Sequence, residues 1–340
     1  MIVGYSPKHD RPIQIGFLGF HKLWDPIWNP ITISLAHRYS LDVSSSCSDG
    51  HLEPIPEVLF TSVFEAGGLT MQKRWCHSGA IGSASERPLY LDRRYAQSLK
   101  IYTSDECVPP PWDECDYAMS YSHEQDHRHL RLPVYVGGLR FLLDLPWIRE
   151  GRMRFPNLSL SKRHTSNWDQ IFALKTRFCN FVYTNAQVPE RNDFCCLLSR
   201  YKKVDCGGTV LNNIGSLVAE KQPFLENYKF TIAFENRSCP GYVSEKLVDP
   251  MIARSVPVYW GSPTLDQDFN PQSIVVATGR KMSDVVGEII ALDKDDSAYI
   301  AKMQTPWFHG DVMNRYCSVD YVADFFERIL TEQKRSRVMD

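Results

Sequence analysis

The chain has 340 residues, of which 43% are hydrophobic and 23% are charged, and its formal net charge is −2. This length favours two domains, and the composition is that of a globular protein with a large core. The small net charge argues against nucleic acid as the main partner, since nucleic-acid-binding proteins present a strongly basic face. The sequence contains no run of 18 apolar residues, so it predicts no membrane-spanning helix.

The N-terminal sequence does not have the form of a signal peptide, because residues 7–10, PKHD, interrupt its apolar run. The ten cysteines are scattered without a C-x-x-C pair, which predicts reduced thiols and no zinc site. We therefore expect a cytoplasmic or peripheral protein, unless a membrane anchor has been removed. A peripheral membrane contact would involve the basic tail residues Lys334, Arg335 and Arg337, although a frayed terminus fits this tail better.

The first half of the chain alternates predicted strands and helices. The run "IQIGFLGF", which begins at Ile13, predicts a buried strand. Asn29 and Pro30 have the form of the N-cap and first residue of a helix that continues through "ITISLAHRY". The short apolar runs "PEVLFTSVF", "LKIYTS" and "CDYAMSY" predict further strands.

The second half repeats this alternation more regularly. The run "RFCNFVYTN" predicts a strand, and Pro189 opens a helix. The apolar side chains of this helix follow a helical spacing that puts them on one face: Phe194, Leu197, Leu198 and Tyr201. A strand "YKFTIAF", a helix "SEKLVDPMIA" and a strand "VPVYWG" are predicted to follow.

Strands and helices that alternate in both halves predict an α/β fold with two doubly wound domains. We place the first domain at residues 1–155 and the second at 156–317. A C-terminal helix and tail at 318–340 are expected to pack back on the first domain, with the helix itself at 318–334. The polar stretch 149–167 is the predicted linker.

Two strands in the second half are each followed by a helix with a cation in its first turn. Arg191 follows the strand that ends near Asn185, and Lys246 follows the strand that ends at Phe234. A cation at this end of a helix is disfavoured by roughly 0.3–1 kcal/mol, and a bound anion would reverse that balance. Two such helix starts would suit a diphosphate; the alternative is that both cations are ordinary solvated surface charges. No G-x-G-x-x-G motif supports a nicotinamide or flavin cofactor.

Carboxylates lie at the same strand end and helix start. Glu235 and Asn236 directly follow a buried strand, and a carboxylate so close to a core needs bonding partners. Glu245 either accepts hydrogen bonds from sugar or ribose hydroxyls, or is an acid that the helix dipole favours in the first turn. The local cluster "HEQDHRH", which begins at His123, has two histidines at helical spacing, but a solvated loop is a better interpretation than a metal site.

A long motif connects these residues to a known family. The stretch "YKFTIAFENRSCPGYVSEKLVDPMIARSVPVYWGSP" closely resembles the donor-binding signature of the α1,3/α1,4-fucosyltransferases, glycosyltransferase family 10. The shared elements are F-E-N, G-Y-V-S-E-K and V-P-V-Y-W-G-S-P. The resemblance extends over roughly residues 12–325, through "FCNFVYTNAQVPERNDFCCLLSRY" and "DFNPQSIV", and is less specific in the N-terminal half.

This resemblance implies a GT-B fold, in which two Rossmann-like domains face each other across a cleft. It implies that the C-terminal domain binds GDP-fucose and the N-terminal domain binds a GlcNAc-containing acceptor. The implied reaction inverts the fucose anomeric centre and forms an α-linkage to hydroxyl 3 or 4 of GlcNAc in N-acetyllactosamine-type glycans. The family has no DXD metal motif, so no metal and no further cofactor are expected.

The same resemblance implies roles for individual residues. Arg191 and Lys246 match the diphosphate-contacting cations of the family, and the shared signature also supplies the remaining expected donor-binding residues. These are Glu235, Asn236, Tyr242, Ser244 and Glu245, the last of which is also expected to take part in catalysis.

The general base of the family is expected in a "YTGEN"-like segment, which here reads "YTSDE". Either Asp105 or Glu106 is therefore the expected base, because Asp is one methylene shorter than the glutamate that it replaces. Trp24 and Trp28 follow the first strand and either stack on the acceptor or pack in the core. Pro250 departs from the family pattern and predicts a kink, or a helix that starts late at Asp249.

The sequence is also compatible with two other functions. The altered base segment would fit a catalytically weak relative that binds glycans or nucleotide sugars. The donor signature would also fit a transferase that uses another GDP-linked sugar.

Overall fold

The computed structural model of the chain describes residues 11–20, 26, 29–46, 52–62, 89–104, 106–139 and 167–339. They divide into two compact units, one of described residues up to 139 together with those from 315 onward, and one from 167 to 314. Trp24, Trp28, Asp105 and the predicted linker up to residue 166 lie outside the described residues.

The first unit contains a sheet of parallel strands in the order β2-β1-β3-β4-β5-β6. The strands are β1 (Ile13–Leu18), β2 (Leu41–Ser46), β3 (Val58–Ser62), β4 (Leu99–Thr103), β5 (Tyr117–Ser120) and β6 (His129–Arg131). Two short helices accompany them, α1 (Pro30–Ala36) and α2 (Tyr135–Leu139).

Helix α1 begins where the sequence predicts it. The Asn29 side chain accepts hydrogen bonds from the main-chain N–H groups of Ile31 and Thr32, both at 3.0 Å, and Pro30 occupies the first helical position. These bonds satisfy amide groups that have no partner within the helix. The predicted N-cap is therefore confirmed.

The second unit contains another parallel sheet, in the order β11-β10-β9-β7-β8. Its strands are β7 (Arg177–Phe181), β8 (Val204–Cys206), β9 (Tyr228–Phe234), β10 (Val256–Trp260) and β11 (Val275–Val276). Its helices are α3 (Trp168–Ala173), α4 (Pro189–Ser199), α5 (Lys221–Leu225), α6 (Glu245–Ile252), α7 (Met282–Lys294) and α8 (Asp296–Gln304).

The order of strands in the second sheet reverses between β7 and β9. Strand β7 pairs with β8 on one side and with β9 on the other, so successive connections leave this point in opposite directions along the sheet. In open α/β sheets, ligands bind at such a reversal, outside the carboxyl ends of the strands. The loops that follow β7 and β9 are therefore where a ligand is expected.

Helix α4 packs its predicted apolar face on this sheet. Phe194 and Leu198 are buried, and the Phe194 ring stacks on Phe234 of β9 with centroids 4.9 Å apart. Because Phe234 is the last residue of β9, this contact holds the start of α4 near the carboxyl end of that strand.

Helix α9 (Val319–Met339) belongs to the first unit and packs against α1. Arg38, just after α1, bonds Asp320 at 2.6 Å and Asp324 at 2.5 Å, and the Tyr39 and Phe326 rings lie 5.7 Å apart. The helix continues five residues beyond its predicted end at residue 334, through the basic tail. A membrane contact of that tail stays a prediction. Among the described helices, none combines the length and apolar content that a bilayer span requires.

Helix α6 begins at Glu245, so the predicted late start at Asp249 is wrong. The Ser244 side chain caps the helix by accepting from the main-chain N–H of Lys246 at 3.3 Å. Pro250 lies inside the helix, where it lacks the amide that would bond the Lys246 carbonyl. The cap and the burial of Leu247 and Val248 outweigh this single missing bond.

Two cysteines are not the reduced thiols that the sequence predicts. Cys107 and Cys239 are each disulfide-bonded, so that prediction is wrong at these positions. Free cysteines in the described residues are Cys115, Cys179, Cys195, Cys196, Cys206 and Cys317. A disulfide requires closeness in space and not in sequence, which is why spacing did not reveal these bonds. Because disulfides persist mainly in oxidising compartments, this finding does not favour the expected cytoplasmic location.

We predict that iodoacetamide will not modify Cys107 or Cys239 in protein purified and denatured without reductant, because a disulfide sulfur cannot be alkylated. Peptide mass spectrometry gives the readout, and the exposed thiol of Cys196 is the internal control for complete labelling. After treatment with dithiothreitol both positions should become labelled. Full labelling of Cys107 and Cys239 before reduction would contradict the assignment.

Candidate active site

A cleft of about 250 Å³ lies at the strand-order reversal of the second sheet. Its walls come from β7 and β9, from the loops that follow these strands, and from α4, α5 and α6. The polar side chains that line it include Asn180, Asn185, Arg191, Asn236, Glu245 and Lys246. Four of these six, Arg191, Asn236, Glu245 and Lys246, are residues that the sequence predicts at a donor site.

Arg191 is completely buried at this cleft. Its Nη2 donates to the main-chain carbonyl of Asn185 at 2.7 Å, and its Nη1 lies 3.3 Å from Oδ1 of Asn236 and 3.4 Å from the carbonyl of Phe234. These acceptors are all neutral, and the buried Nε has no hydrogen-bond partner among the described residues. Burial lowers the pKa of the guanidinium, although arginine remains protonated in proteins. The alternative of a solvated surface charge is therefore wrong for Arg191.

Tyr183 fixes the position of this guanidinium. The Arg191 Cζ atom lies 3.9 Å from the centroid of the Tyr183 ring, within the range of a cation–π contact. The Tyr183 hydroxyl donates to the carbonyl of Ile232 at 2.7 Å and accepts from the N–H of Phe234 at 2.9 Å. The arginine is thereby held against the end of β9.

Lys246 is the second cation of the cleft, and its side chain is 15% exposed. Its Nζ donates to Oγ of Ser244 and to Oε1 of Glu245, both at 3.2 Å, and lies 3.6 Å from Oε2 of Glu235. Two carboxylates thus share this ammonium group. They place its positive charge at the start of α6, where the helix dipole alone would disfavour it.

Glu235 has no exposed surface, and its carboxylate is bonded to the residues at the start of α6. Its Oε1 accepts from the main-chain N–H of Ser244 at 2.8 Å, and its Oε2 accepts from the Ser244 hydroxyl at 2.6 Å. Burial raises the pKa of Glu235, and the nearby Lys246 opposes that shift. The sequence correctly indicated that a carboxylate at this strand end needs partners.

Gly261, which directly follows β10, packs so closely against Glu235 that a side chain at this position would not fit. A Cβ added to Gly261 would lie 2.6 Å from Cγ of Glu235 and 2.4 Å from the hydroxyl of Tyr259. That hydroxyl donates to the carbonyl of Tyr242 at 3.2 Å and accepts from the N–H of Ser262 at 3.0 Å. The glycine of the W-G-S-P motif therefore serves close packing beneath the site.

Glu245 and Lys221 add charge on the α5 and α6 side of the cleft. Burial alone would raise the pKa of Glu245, but Lys246 and Lys221 lower it to about 2, so this carboxylate is ionised at neutral pH. Lys221 is paired with Asp249 at 2.7 Å. Lysine and carboxylate charges thus offset one another here, whereas the partners of Arg191 are neutral.

The other predicted site residues occupy different places. Glu235, Tyr242 and Ser244 are buried and do not line the cleft; they support it from beneath. Glu106 follows β4 in the first unit, where its carbonyl accepts from the Ser104 hydroxyl at 2.6 Å. In the described residues no group of three or more histidine, cysteine or acidic side chains is placed to hold a metal ion.

Sequence reasoning missed Asn180, Tyr183 and Lys221, which also line the cleft. Asn180 and Tyr183 lie within or just after a strand that reads as continuously apolar. An asparagine in such an apolar run could have indicated a functional position, because a buried amide requires hydrogen-bond partners.

Two parallel-sheet α/β units, with a ligand-sized cleft at the strand-order reversal of the second, are the features of the GT-B fold. Over 97% of this chain and 92% of the other, the fold matches the crystal structure of an α1,3-fucosyltransferase with GDP-fucose, with a TM-score of 0.69 and 22% identity. A weaker match is Anabaena HepE in complex with UDP and glucose, with a TM-score of 0.50 and 8% identity over 94% of this chain and all of that one. The predicted GT-B fold class is confirmed.

Residues 172–307 match the family model of the glycosyltransferase family 10 (fucosyltransferase) C-terminal region. It is 30% identical to the α-(1,3)-fucosyltransferase FucT of Helicobacter pylori over 222 residues, 61% of this chain and 46% of that protein. It is also 30% identical to GDP-fucose protein O-fucosyltransferase 3 of Xenopus laevis over 207 residues, 55% of this chain and 40% of that protein. The chain thus spans less than half the length of these curated relatives.

We predict that Glu235→Gln lowers the free energy of unfolding most at a pH below 4.5, the ordinary pKa of this carboxyl. This loss of stability should become smaller as the pH rises. Because burial raises the folded-state pKa, the folded protein holds the proton more tightly than the unfolded chain does. The wild-type stability is therefore largest below 4.5 and falls as the pH rises through the folded pKa, whereas glutamine does not titrate. Thermal unfolding of the wild-type protein and of Glu235→Gln, from below pH 4.5 upward, measures the difference in stability between them.

The matched control is Glu245→Gln, for which the opposite slope is expected. The folded pKa of Glu245 is lowered to about 2, so its stabilising contribution is present above 4.5 and is lost as the pH falls towards that value. Parallel slopes for the two variants would refute the assigned environments.

Proposed function

We propose that the chain is an inverting fucosyltransferase that transfers L-fucose from GDP-β-L-fucose to hydroxyl 3 or 4 of GlcNAc in N-acetyllactosamine-type glycans. The observation that carries this proposal is the buried Arg191 guanidinium, which lies with neutral partners in the cleft at the β7/β9 reversal. The match of residues 172–307 to the fucosyltransferase family model and the fold match to a GDP-fucose complex support it.

A buried cation without a carboxylate partner is unfavourable on its own. Among the residues that the structure describes, none offers an acceptor to the Nε of Arg191, and the cleft provides space beside it. A diphosphate would supply both the missing acceptor and the missing negative charge, through charge-assisted hydrogen bonds to the guanidinium. The ammonium group of Lys246, already at the helix start, would contact the same group.

These two cations would assist bond cleavage at the donor. As the acceptor oxygen bonds to the anomeric carbon of fucose, the bond from that carbon to the β-phosphate oxygen breaks, and its electron pair stays on GDP. Preorganised positive groups stabilise this developing charge, which is often the largest contribution to such catalysis. The positive end of the α6 helix dipole lies at the same helix start and would add to the effect.

The remaining donor-site residues hold this arrangement together. Asn236 orients Arg191, and Glu235 and Ser244 fix the start of α6 and therefore Lys246. The ionised Glu245 carboxylate lines the cleft and is suited to accept hydrogen bonds from sugar or ribose hydroxyls. We propose that it contacts the donor directly.

We predict that Arg191→Ala and Lys246→Ala will each weaken GDP binding by at least about tenfold, since each removes charge-assisted hydrogen bonds to phosphate. Calorimetry on the intact chain measures the affinity. The control is Arg200→Ala, which removes an exposed arginine from the other end of α4 and should leave GDP binding unchanged.

Because Arg191 is buried, thermal unfolding should accompany each titration, and Arg191→Lys provides a variant that keeps the charge. GDP affinity that is unchanged in folded forms of both alanine variants would exclude the diphosphate assignment.

The proton of the acceptor hydroxyl must pass to a base, for which we propose Asp105, with Glu106 as the neighbouring alternative. Asp105→Asn is expected to reduce kcat by about 10²–10⁴-fold, the usual contribution of general base catalysis. GDP affinity should stay near normal, because the nucleotide is expected on the second unit. Transfer of fucose to N-acetyllactosamine, followed by mass spectrometry, gives the rate.

Glu106→Gln is the matched comparison. Loss of turnover in Glu106→Gln alone would move the base by one residue, to Glu106. Full activity in both variants would show that the base lies elsewhere and that the alignment of this segment is wrong.

A protein acceptor is the second candidate, because several relatives are GDP-fucose protein O-fucosyltransferases. A panel of N-acetyllactosamine glycans and serine- or threonine-containing polypeptides, read by mass spectrometry, separates the two acceptor classes. Replacing GDP-fucose by other GDP-linked sugars in that panel tests the donor. GDP release that does not depend on any acceptor would identify a catalytically weak relative.

A further inference from the structure

Asn180 is a completely buried asparagine on β7, in the wall of the cleft. Its Nδ2 donates to the main-chain carbonyl of Phe230 at 3.2 Å and to Oγ1 of Thr231 at 2.8 Å, on the adjacent strand β9. Its Oδ1 has no hydrogen-bond partner in the structure. An amide in a sheet interior normally satisfies both of its ends, so this oxygen requires an explanation.

The bonds around Asn180 fix the orientation of its amide. A main-chain carbonyl can only accept, so the group that faces Phe230 must be Nδ2. The Ser255 hydroxyl donates to the carbonyl of Lys229 at 3.3 Å, which leaves its oxygen to accept the Thr231 proton across 2.8 Å. Thr231 therefore has no proton to offer Asn180.

This chain of bonds leaves Oδ1 as an acceptor with no donor among its described protein neighbours. A buried acceptor without a donor is unfavourable by an amount comparable to a lost hydrogen bond. The cleft beside it is also lined by apolar side chains, Val182, Leu225 and Pro250. Apolar walls next to a single oriented acceptor are suited to a flat ring that carries an N–H group.

The two ends of the cleft differ in character. Arg191 and Lys246 lie at the helix starts and would hold the anionic end of a nucleotide. Asn180 and Thr231 are cross-strand partners within the sheet, before the ends of β7 and β9 at Phe181 and Phe234. A nucleotide whose diphosphate meets the two cations would therefore extend its base towards Asn180.

We propose that Asn180 selects the nucleobase of the donor, by offering Oδ1 to the N1–H and 2-amino edge of guanine. Adenine has an acceptor nitrogen at position 1 and no amino group at position 2, so it would place a lone pair against Oδ1. This inference rests on the proposed donor site and deepens it. A buried polar group discriminates strongly because the wrong ligand leaves it without a partner.

The test is calorimetric titration of the intact chain with GDP and with ADP. The wild-type protein should bind GDP at least about tenfold more tightly, the worth of one hydrogen bond to a buried acceptor. In Asn180→Val the ratio of GDP affinity to ADP affinity should fall by about tenfold, mainly because GDP binds more weakly. Inosine diphosphate, which keeps N1–H but lacks the 2-amino group, should fall between GDP and ADP for the wild-type protein.

Two further variants complete the design. Asn192→Ala is the control, because Asn192 also has an unpartnered Oδ1 but does not line the cleft; its GDP preference should match the wild type. Thr231→Val removes the acceptor that holds Nδ2 and should reduce the preference even if Asn180→Val does not fold. A preference for GDP that is unchanged in the folded variants of Asn180 and Thr231 overturns the proposal.

The outcome also separates this inference from the proposed function. If GDP binds tightly and requires Arg191 but its preference over ADP is independent of Asn180, only the base assignment fails. If GDP does not bind the wild-type chain, the donor site itself is wrong, and the base assignment fails with it.

Discussion

The site depends on one buried carboxylate. Glu235 lies at the end of β9 with no exposed surface, so both of its oxygens need donors within the protein. The backbone N–H and the hydroxyl of Ser244 supply them, and this fixes where α6 begins. Lys246 then lies in the first turn, 3.6 Å from the same carboxylate. A strand end, a helix cap and a cation are thus positioned by one interaction.

The second constraint is the burial of Arg191. Its guanidinium is stacked on Tyr183 and bonded to neutral groups at the ends of β7 and β9, the two strands between which the sheet order reverses. The nearby charge of Glu235 favours the charged guanidinium, but no carboxylate among the described residues is hydrogen-bonded to it, and an anion in the cleft would supply that partner. The same reversal creates the crevice into which such an anion would fit. Topology and electrostatics therefore point to one cleft.

Local features of the fold were predictable because their causes are local. The cap at Asn29 and strand β9 have the bounds that the sequence indicates, and β10 ends one residue before the predicted end, at Trp260. Capping residues and short apolar runs act over a few positions, which is why they can be predicted. A start of α6 at Asp249, one of the two alternatives that Pro250 suggests, is wrong because Ser244 caps the helix earlier. The disulfides of Cys107 and Cys239 gave no signal, because bonding depends on distance in space.

The sequence by itself determined that the chain is an α/β protein with a motif that resembles the donor-binding signature of glycosyltransferase family 10. It also identified Arg191 and Lys246 as a matched pair of cations. Such conclusions need only residue types and spacing. The tertiary structure alone decided that Arg191 is buried with neutral partners and that Glu235 supports the cleft without lining it. It also decided that Asn180 presents an unsatisfied oxygen. Burial and hydrogen-bond partners are set by strands distant in sequence, such as β7 and β9, and so no local pattern encodes them.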